Sequence, residues 1–227
     1  MSGRAAAFFD FDKTLLDCET SALMIPYLRR NRHIFFARRP IRPGYLLRLL
    51  LANELYKRHL YPDEKMAVLL LEFFKGRSPE PFIATAADFY QTCLKPRLAP
   101  NIVARLKEHQ VRRDLCVLIS AGVRYCLEPV VDDLGFDHLL CTDLEVGRDG
   151  RYTGRSLGLV CIDERKRTMA LALGRSQEID LAASHAYGNH QSDIPLLESV
   201  GFPVAVEPTG PLRRVATERG WPILTYR

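Results

Sequence analysis

Apolar and polar positions fall into blocks along the chain, and the blocks predict which segments form strands and which form helices. Residues 5–9 are a short apolar run that ends at Asp10, which indicates a buried strand. From residue 19 to residue 91 apolar residues recur at helical spacing, and prolines divide the stretch. The helices predicted there span 20–32, 44–59, 63–75 and 79–92.

After Pro100 the pattern changes to alternating strands and helices. Strands are predicted at 115–119, 138–142 and 204–206, and a further strand is predicted to end at 186–187. Helices are predicted at 101–110, 122–134, 163–173 and 193–199. An Asp-Gly pair at 149–150 suits a tight hairpin turn. This alternation is typical of an α/β fold, a doubly wound parallel sheet with helices on both faces. We expect a core of residues 1–18 and 93–227, with the all-helical block 19–92 inserted after the first strand as a cap.

Composition indicates an ordinary globular protein with a small excess of positive charge. Hydrophobic residues make up 47% of the 227 positions, and 32 Lys and Arg against 27 Asp and Glu give a formal net charge of +5. That excess is too small to indicate a nucleic-acid partner. No apolar run approaches the roughly 20 residues of a transmembrane helix, and no secretory signal or C-x-x-C pair is present. These features predict a cytoplasmic protein with reduced cysteines.

Polar residues that follow the predicted strands are the candidates for chemistry, because ligands of such sheets bind at the carboxyl ends of the strands. Asp10 and Asp12 follow the first strand. A divalent cation can relieve the repulsion between two such carboxylates, and one carboxylate can attack phosphorus while the other transfers a proton. A surface turn is the alternative, and the hydroxyl of Thr14 can cap it.

Later segments supply complementary groups. Ser120, before Ala121 and Gly122, can help to hold an anion or can cap the next helix. Lys166 can offset the charge of a phosphoryl group, although its neighbours Arg165 and Arg167, or a solvated helix face, remain alternatives.

The segment 188–193 follows another predicted strand. Gly188 permits close backbone approach. Asn189 and Asp193 offer the oxygen donors that Mg²⁺ prefers, and an ordinary polar loop is the alternative.

The order of these segments resembles the haloacid dehalogenase-like (HAD) phosphatase superfamily over nearly the whole chain. It is most similar to subfamily IB, which contains phosphoserine phosphatase. The matching motifs are the D-x-D-K-T-L block at 10–15, a flap segment at 151–155, the stretch 187–206 and the ending 219–224.

The resemblance implies a Rossmann-like core and a Mg²⁺-dependent phosphatase that hydrolyses a small organic phosphate monoester. It implies that Asp10 is the nucleophile and forms an aspartyl-phosphate, and that Asp12 is the general acid and then the base. It assigns Ser120 and Lys166 to the transferring phosphoryl group.

By the same resemblance, Asp10, Asp12, Asn189 and Asp193 serve the metal. Asp12 does so through its backbone carbonyl, and one or both of Asn189 and Asp193 do so through water. The sequence departs from the family at Asn189, where aspartate is commonest. The amide keeps an oxygen ligand and removes a charge, so Mg²⁺ should bind more weakly. Asparagine occurs there in some relatives, so the departure does not predict an inactive protein.

Thr14, Gly122, Glu19 and His190 are the candidate substrate contacts. Glu19 lies nine positions after Asp10, where phosphoserine phosphatases carry a glutamate that contacts the substrate amine; a first-turn acid of a cap helix is the alternative. His190 replaces a usual small residue, and we expect local packing or hydrogen bonding for it.

The predicted cap is strongly basic. Between residues 27 and 59 nine Lys and Arg stand against one acid, Glu54. The excess suits an anionic substrate, an acidic partner or peripheral contact with an anionic lipid surface, and a solvated face is the alternative. Three further functions stay open: phosphoserine phosphatase proper, a phosphotransferase, and a non-catalytic protein that binds an anion or partner and has a weakened metal site.

Overall fold

The computed structural model describes residues 3–35, 43–58 and 60–226. The cap arginines at 38, 39 and 42 and the predicted helix end at 59 lie outside these ranges. Within them are eight strands: β1 (Ala6–Phe9), β2 (Leu115–Val123), β3 (His138–Thr142), β4 (Leu144–Val146), β5 (Tyr152–Ser156), β6 (His185–Gly188), β7 (Phe202–Val206) and β8 (Ile223–Leu224).

Six of the strands form one parallel sheet in the order β3-β2-β1-β6-β7-β8, and β4 and β5 form a separate antiparallel hairpin. The predicted doubly wound parallel sheet is confirmed. The strand order reverses beside β1, so the crevice at the carboxyl end of β1 is where such a sheet binds its ligand.

Ten α-helices accompany the strands in the described ranges. Five lie in the predicted insertion, residues 19–92: α1 (Thr20–Arg30), α2 (Arg32–Phe35), α3 (Pro43–Lys57), α4 (Asp63–Leu71) and α5 (Glu80–Phe89). The others are α6 (Pro100–Val111), α7 (Arg124–Leu134), α8 (Glu164–Ser176), α9 (Ile194–Leu197) and α10 (Gly210–Glu218). None of the helices in the described ranges has the length and hydropathy needed to cross a membrane.

Alternating side chains of β1 enter two different cores, because successive residues of a strand point to opposite faces. Ala7 and Phe9 pack with the apolar residues of α6 and α7. Ala6 and Phe8 pack with those of α8, α9 and α10. All four side chains are completely buried, so β1 is fixed from both sides and its carboxyl end is a rigid platform.

An aromatic cluster joins the inserted helices to the core and to the hairpin. The ring of Phe82 lies 5.3 Å from that of Tyr125 on α7, and the ring of Phe74 lies 5.7 Å from that of Tyr152 on β5. The backbone of Tyr152 also exchanges hydrogen bonds with Gly76 and Arg77. The inserted helices and the hairpin are therefore packed together over the core.

Several predicted boundaries were wrong. Strand β2 continues through Val123, which pairs with Thr142 of β3, so α7 begins at Arg124 and not at Gly122. The predicted helix 20–32 is divided at Asn31, and 63–75 ends as a 3₁₀ turn after Leu71. The strand at 204–206 is followed by β8, which is only two residues long and gives no periodic signal of its own.

We predict that Gly201→Ala destabilises the fold by about 1–3 kcal/mol, because overpacking against backbone has a cost of that order. A β-carbon at Gly201 would overlap the carbonyl oxygen of Ala182 and lie 2.7 Å from its carbonyl carbon. Gly210→Ala is the matched control, since no atom beyond the adjoining residues of its own helix lies within 4 Å of its β-carbon position. Urea unfolding of both variants tests this, and equal midpoints would contradict it.

Candidate active site

The residues that follow three neighbouring strands lie together at one edge of the sheet. In the register, Phe9 of β1 pairs with Leu118 of β2 and with Tyr187 of β6. Asp10, Ser120 and Asn189 come one or two positions later on these strands. All three are buried, so the structure collects them at the carboxyl end of the central strands.

Lys166 connects two carboxylates that are far apart in the sequence. Its Nζ lies 2.6 Å from Oδ1 of Asp10 and 2.6 Å from Oδ1 of Asp193, and it donates a hydrogen bond to each. All three side chains are more than nine-tenths buried. Such a triad is retained only where its charges compensate one another, since unpaired buried charge is strongly unfavourable.

The two neighbouring arginines are directed elsewhere. Arg165 pairs with Glu64 of α4 at 2.6 Å, and Arg167 lies 3.7 Å from Glu164 on its own helix. Both arginine side chains are partly exposed. Of the three basic residues that the sequence left as alternatives, Lys166 is therefore the one that reaches Asp10.

The protonation of this triad follows from burial and charge. Burial acts to lower the pKa of Lys166, but the carboxylates of Asp10 and Asp193 outweigh it and raise that pKa above its ordinary value. Burial raises the pKa of Asp10; the charge of Lys166 opposes this shift, and that of Asp193 adds to it. Lys166 is therefore the fixed cation of the site.

Asp193 is held by the backbone of the loop that precedes it. Its Oδ2 accepts hydrogen bonds from the amides of Asn189 at 3.0 Å and His190 at 2.9 Å. A β-carbon at Gly188 would lie 2.6 Å from the β-carbon of Asp193. The glycine at the end of β6 is thus required by the close approach of this side chain.

Asp12 and Asp10 are each fixed by a threonine. Oδ1 of Asp12 accepts hydrogen bonds from the backbone amide of Thr20 at 2.6 Å and from its hydroxyl at 2.5 Å. Thr14 donates from its hydroxyl to Oδ2 of Asp10 at 2.9 Å. Burial raises the pKa of Asp12 against the opposing effect of these Thr20 hydrogen bonds, which suits a group that must release a proton near neutral pH.

Ser120 lies within β2 and does not cap α7. The amide of Gly122 donates to the Ser120 Oγ at 3.0 Å. The predicted alternative of a helix cap is therefore wrong, because the strand continues past the serine. The hydroxyl keeps its own proton for donation to an anion.

The residues present fit a magnesium ion. Two buried carboxylates, Asp10 and Asp193, face one ammonium group, which leaves net negative charge when both are ionised. Mg²⁺ is typically held by one or two carboxylates and keeps several waters. The described residues contain no group of three or more His, Cys, Asp or Glu arranged for a metal, so the remaining ligands would be neutral oxygens such as those of Asn189.

The two predicted substrate contacts nearest the cap have local partners. Glu19 directly precedes α1, is half exposed, and pairs with the exposed Lys13 at 2.5 Å. His190 accepts from the amide of Ser192 through Nδ1, which lies 3.0 Å from the Ser192 hydroxyl. His190 therefore shows the local hydrogen bonding expected from the sequence.

Three residues that sequence analysis did not single out connect the inserted helices to the site. Thr20 holds Asp12, as described above. Gln191 donates to Oδ2 of Asp63, the first residue of α4, at 3.1 Å. In the sequence, Thr20 and Asp63 mark only the starts of predicted helices, and Gln191 is one residue of the polar segment 188–193. Their importance arises from contacts across the fold.

Comparisons with known proteins agree with this geometry. A family model described as haloacid dehalogenase-like hydrolase matches residues 7–198. A crystal structure of a protein with unknown function from Bordetella pertussis Tohama I superposes with a TM-score of 0.83 at 30% identity, and the match covers 100% of both chains.

Two curated proteins are similar over almost the whole chain. One is the inhibition of morphological differentiation protein of Streptomyces azureus, 30% identical over 98% of this chain and 79% of its own. The other is a histidinol-phosphatase of Neisseria meningitidis serogroup C, 27% identical over 97% of this chain and 98% of its own. The resemblance found in the sequence is confirmed at the level of the superfamily, and subfamily IB stays a prediction. The chain therefore belongs to the haloacid dehalogenase-like hydrolases and is an enzyme of the phosphatase kind.

Proposed function

We propose that the protein is a Mg²⁺-dependent phosphatase that hydrolyses a small organic phosphate monoester through an aspartyl-phosphate on Asp10. The observation that carries the proposal is the buried bridge from Lys166 to both Asp10 and Asp193. It supports a site in which a nucleophilic carboxylate lies beside a fixed positive charge. Such preorganised charge stabilises a transferring phosphoryl group.

In the first step, an oxygen of Asp10 attacks phosphorus and the bond from phosphorus to the leaving oxygen breaks. Asp12 donates its proton to that leaving oxygen, so the alcohol departs neutral. Thr14 and Lys166 hold the Asp10 carboxylate in place for the attack. Lys166 and the hydroxyl of Ser120 stabilise the charge on the phosphoryl oxygens.

In the second step, water attacks the phosphorus of the aspartyl-phosphate and Asp12, now ionised, accepts a proton from it. The bond between phosphorus and the Asp10 oxygen breaks, which releases inorganic phosphate and restores both carboxylates to their initial states. An alcohol in place of water would give phosphotransfer by the same route, and product analysis with added alcohols distinguishes the two.

Asp10, Asp193, Asn189 and the backbone carbonyl of Asp12 would hold Mg²⁺. When bound, the ion offsets the repulsion between the phosphate and the Asp10 carboxylate. Asn189 contributes no charge, so we expect an affinity weaker than an aspartate at this position would give.

A narrower proposal concerns the substrate's amine. The Glu19 carboxylate is half exposed beside Thr20, and its pairing with Lys13 is an exposed ion pair of small energetic value. A substrate ammonium group can therefore replace Lys13 at little cost. This position favours an amino-alcohol phosphate, a class that includes histidinol phosphate and phosphoserine.

We predict that Asp10→Asn lowers kcat for an aryl phosphate by at least about 10³-fold, because an amide is a poor nucleophile towards phosphorus. Phosphate release with Mg²⁺ measures this. Asp132→Asn, on an exposed part of α7, is the matched control and should retain full activity. Comparable rates for Asp10→Asn and wild type would exclude Asp10 as the nucleophile.

We predict that Gly188→Ala raises the Mg²⁺ concentration needed for half-maximal activity and lowers kcat, because the added methyl group displaces Asp193. Magnesium titrations of the phosphatase rate measure both effects. Gly210→Ala, where a methyl group meets nothing, should titrate like wild type. An unchanged magnesium curve for Gly188→Ala would contradict the assignment of Asp193 to the metal.

We predict that Glu19→Gln raises KM about tenfold for histidinol phosphate or phosphoserine, with little change in kcat, because it removes a charge that binds the substrate without touching the phosphorus. Glycerol phosphate has no amine, so its KM should stay the same. A parallel change for all three substrates would show that Glu19 does not select an amine.

A further inference from the structure

Helix α3 carries apolar side chains on the face that it turns away from the protein. Its inward side chains are those of Tyr45, Leu49, Ala52 and Tyr56, which pack with Met66 and Leu69 of α4. The spacing of these four residues defines one side of the helix. This side of α3 packs against α4.

The opposite side bears four leucines, which we call the outer leucine face: Leu46, Leu47, Leu50 and Leu51. They occupy two successive turns. Leu47 is 59% exposed and Leu50 is 67% exposed. Single exposed apolar residues are ordinary, but a contiguous apolar group of this kind marks an interaction site.

The sequence segment that precedes and includes the outer leucine face is positively charged. Residues 20–53 contain seven arginines and no aspartate or glutamate. Three of them, Arg29, Arg30 and Arg32, are exposed at the end of α1 and the start of α2. Of the seven, Arg48 has an acidic partner in the described residues, Glu72 at 2.9 Å. Exposed apolar side chains can insert below the headgroups of a bilayer, and exposed arginines are attracted to anionic headgroups.

Charge distinguishes among the occupants that could cover this face. A second copy of the chain would bring a second arginine-rich segment to this face, which like-charge repulsion opposes. Protein interfaces derive most of their binding energy from Trp, Tyr and Arg anchors, with leucine under-represented. An anionic bilayer accepts leucines below its headgroups and attracts arginines to its surface.

We propose that the outer leucine face docks the protein peripherally on an anionic lipid bilayer. The docking does not depend on the phosphatase proposal. The far end of α3 lies near the candidate site, because the hydroxyl of Tyr56 interacts with Asp63, which also accepts a hydrogen bond from Gln191 of the site loop. The bilayer would therefore lie on the side of the molecule formed by α3 and α4.

Flotation with lipid vesicles tests the docking. We expect wild type to float with phosphatidylcholine vesicles that contain phosphatidylglycerol and not with phosphatidylcholine alone, and added salt should weaken the binding. Leu47→Gln/Leu50→Gln should lower the affinity at least about tenfold, because it removes the side chains that insert. Arg29→Gln/Arg30→Gln should lower affinity and reduce the salt dependence.

The controls separate docking from misfolding and from self-association. Val111→Gln changes a side chain that is 83% exposed at the end of α6 and should float like wild type. The far-ultraviolet circular dichroism spectrum and the urea unfolding midpoint report that each variant is folded. The proposal is overturned if wild type does not bind anionic vesicles at low salt, or if Val111→Gln loses as much affinity as the leucine variant. It is also overturned if ultracentrifugation without lipid shows a dimer that the leucine variant dissociates.

Discussion

The buried contact of Lys166 with Asp10 and Asp193 is the constraint around which the site is organised. It joins the carboxyl end of β1, the first turns of α8 and the loop after β6, which come from widely separated parts of the chain. Removing one member would leave an uncompensated buried charge, so the three groups are energetically dependent on one another. The arrangement of the three charged groups therefore depends on the relative positions of β1, β6 and α8.

Because the three groups depend on one another, each contact that positions one of the carboxylates affects the whole site. Gly188 leaves room for Asp193, and two backbone amides fix one oxygen of its carboxylate while Lys166 fixes the other. Both oxygens of Asp10 are likewise held, one by Thr14 and one by Lys166. A carboxylate held at both oxygens has little rotational freedom. If Asp10 is the nucleophile, as proposed, this orientation reduces the entropy lost on the way to the transition state.

The inserted helices contribute residues that contact the site, and they also carry an exposed apolar surface. Thr20 fixes Asp12, and Asp63 and Glu64 at the start of α4 contact Gln191 and Arg165 of the core. The same helical layer turns leucines outward on α3. The insertion thus has two separable roles: its inner side positions groups of the site, and its outer side provides the apolar face proposed to meet a bilayer.

The sequence by itself determined the fold class and the candidate site residues. Apolar runs and their periods are local properties, so the parallel sheet, the helical insertion and the polar residues at strand ends were predictable from neighbouring residues alone. The order of the motifs led to the superfamily that the comparisons confirm. Boundaries were less predictable, as at Val123, where pairing with β3 extends a strand through Ser-Ala-Gly residues that are not strong strand formers.

Only the tertiary structure decided which groups touch. It separated Lys166 from Arg165 and Arg167, which have the same charge and adjacent positions, because the helix directs just one of the three towards Asp10. It also showed that Thr20 bonds to Asp12 and that Gln191 bonds to Asp63. It showed as well which side of the leucine-rich α3 is exposed. Contacts of this kind depend on the relative placement of distant segments, and no local pattern of residues encodes that placement.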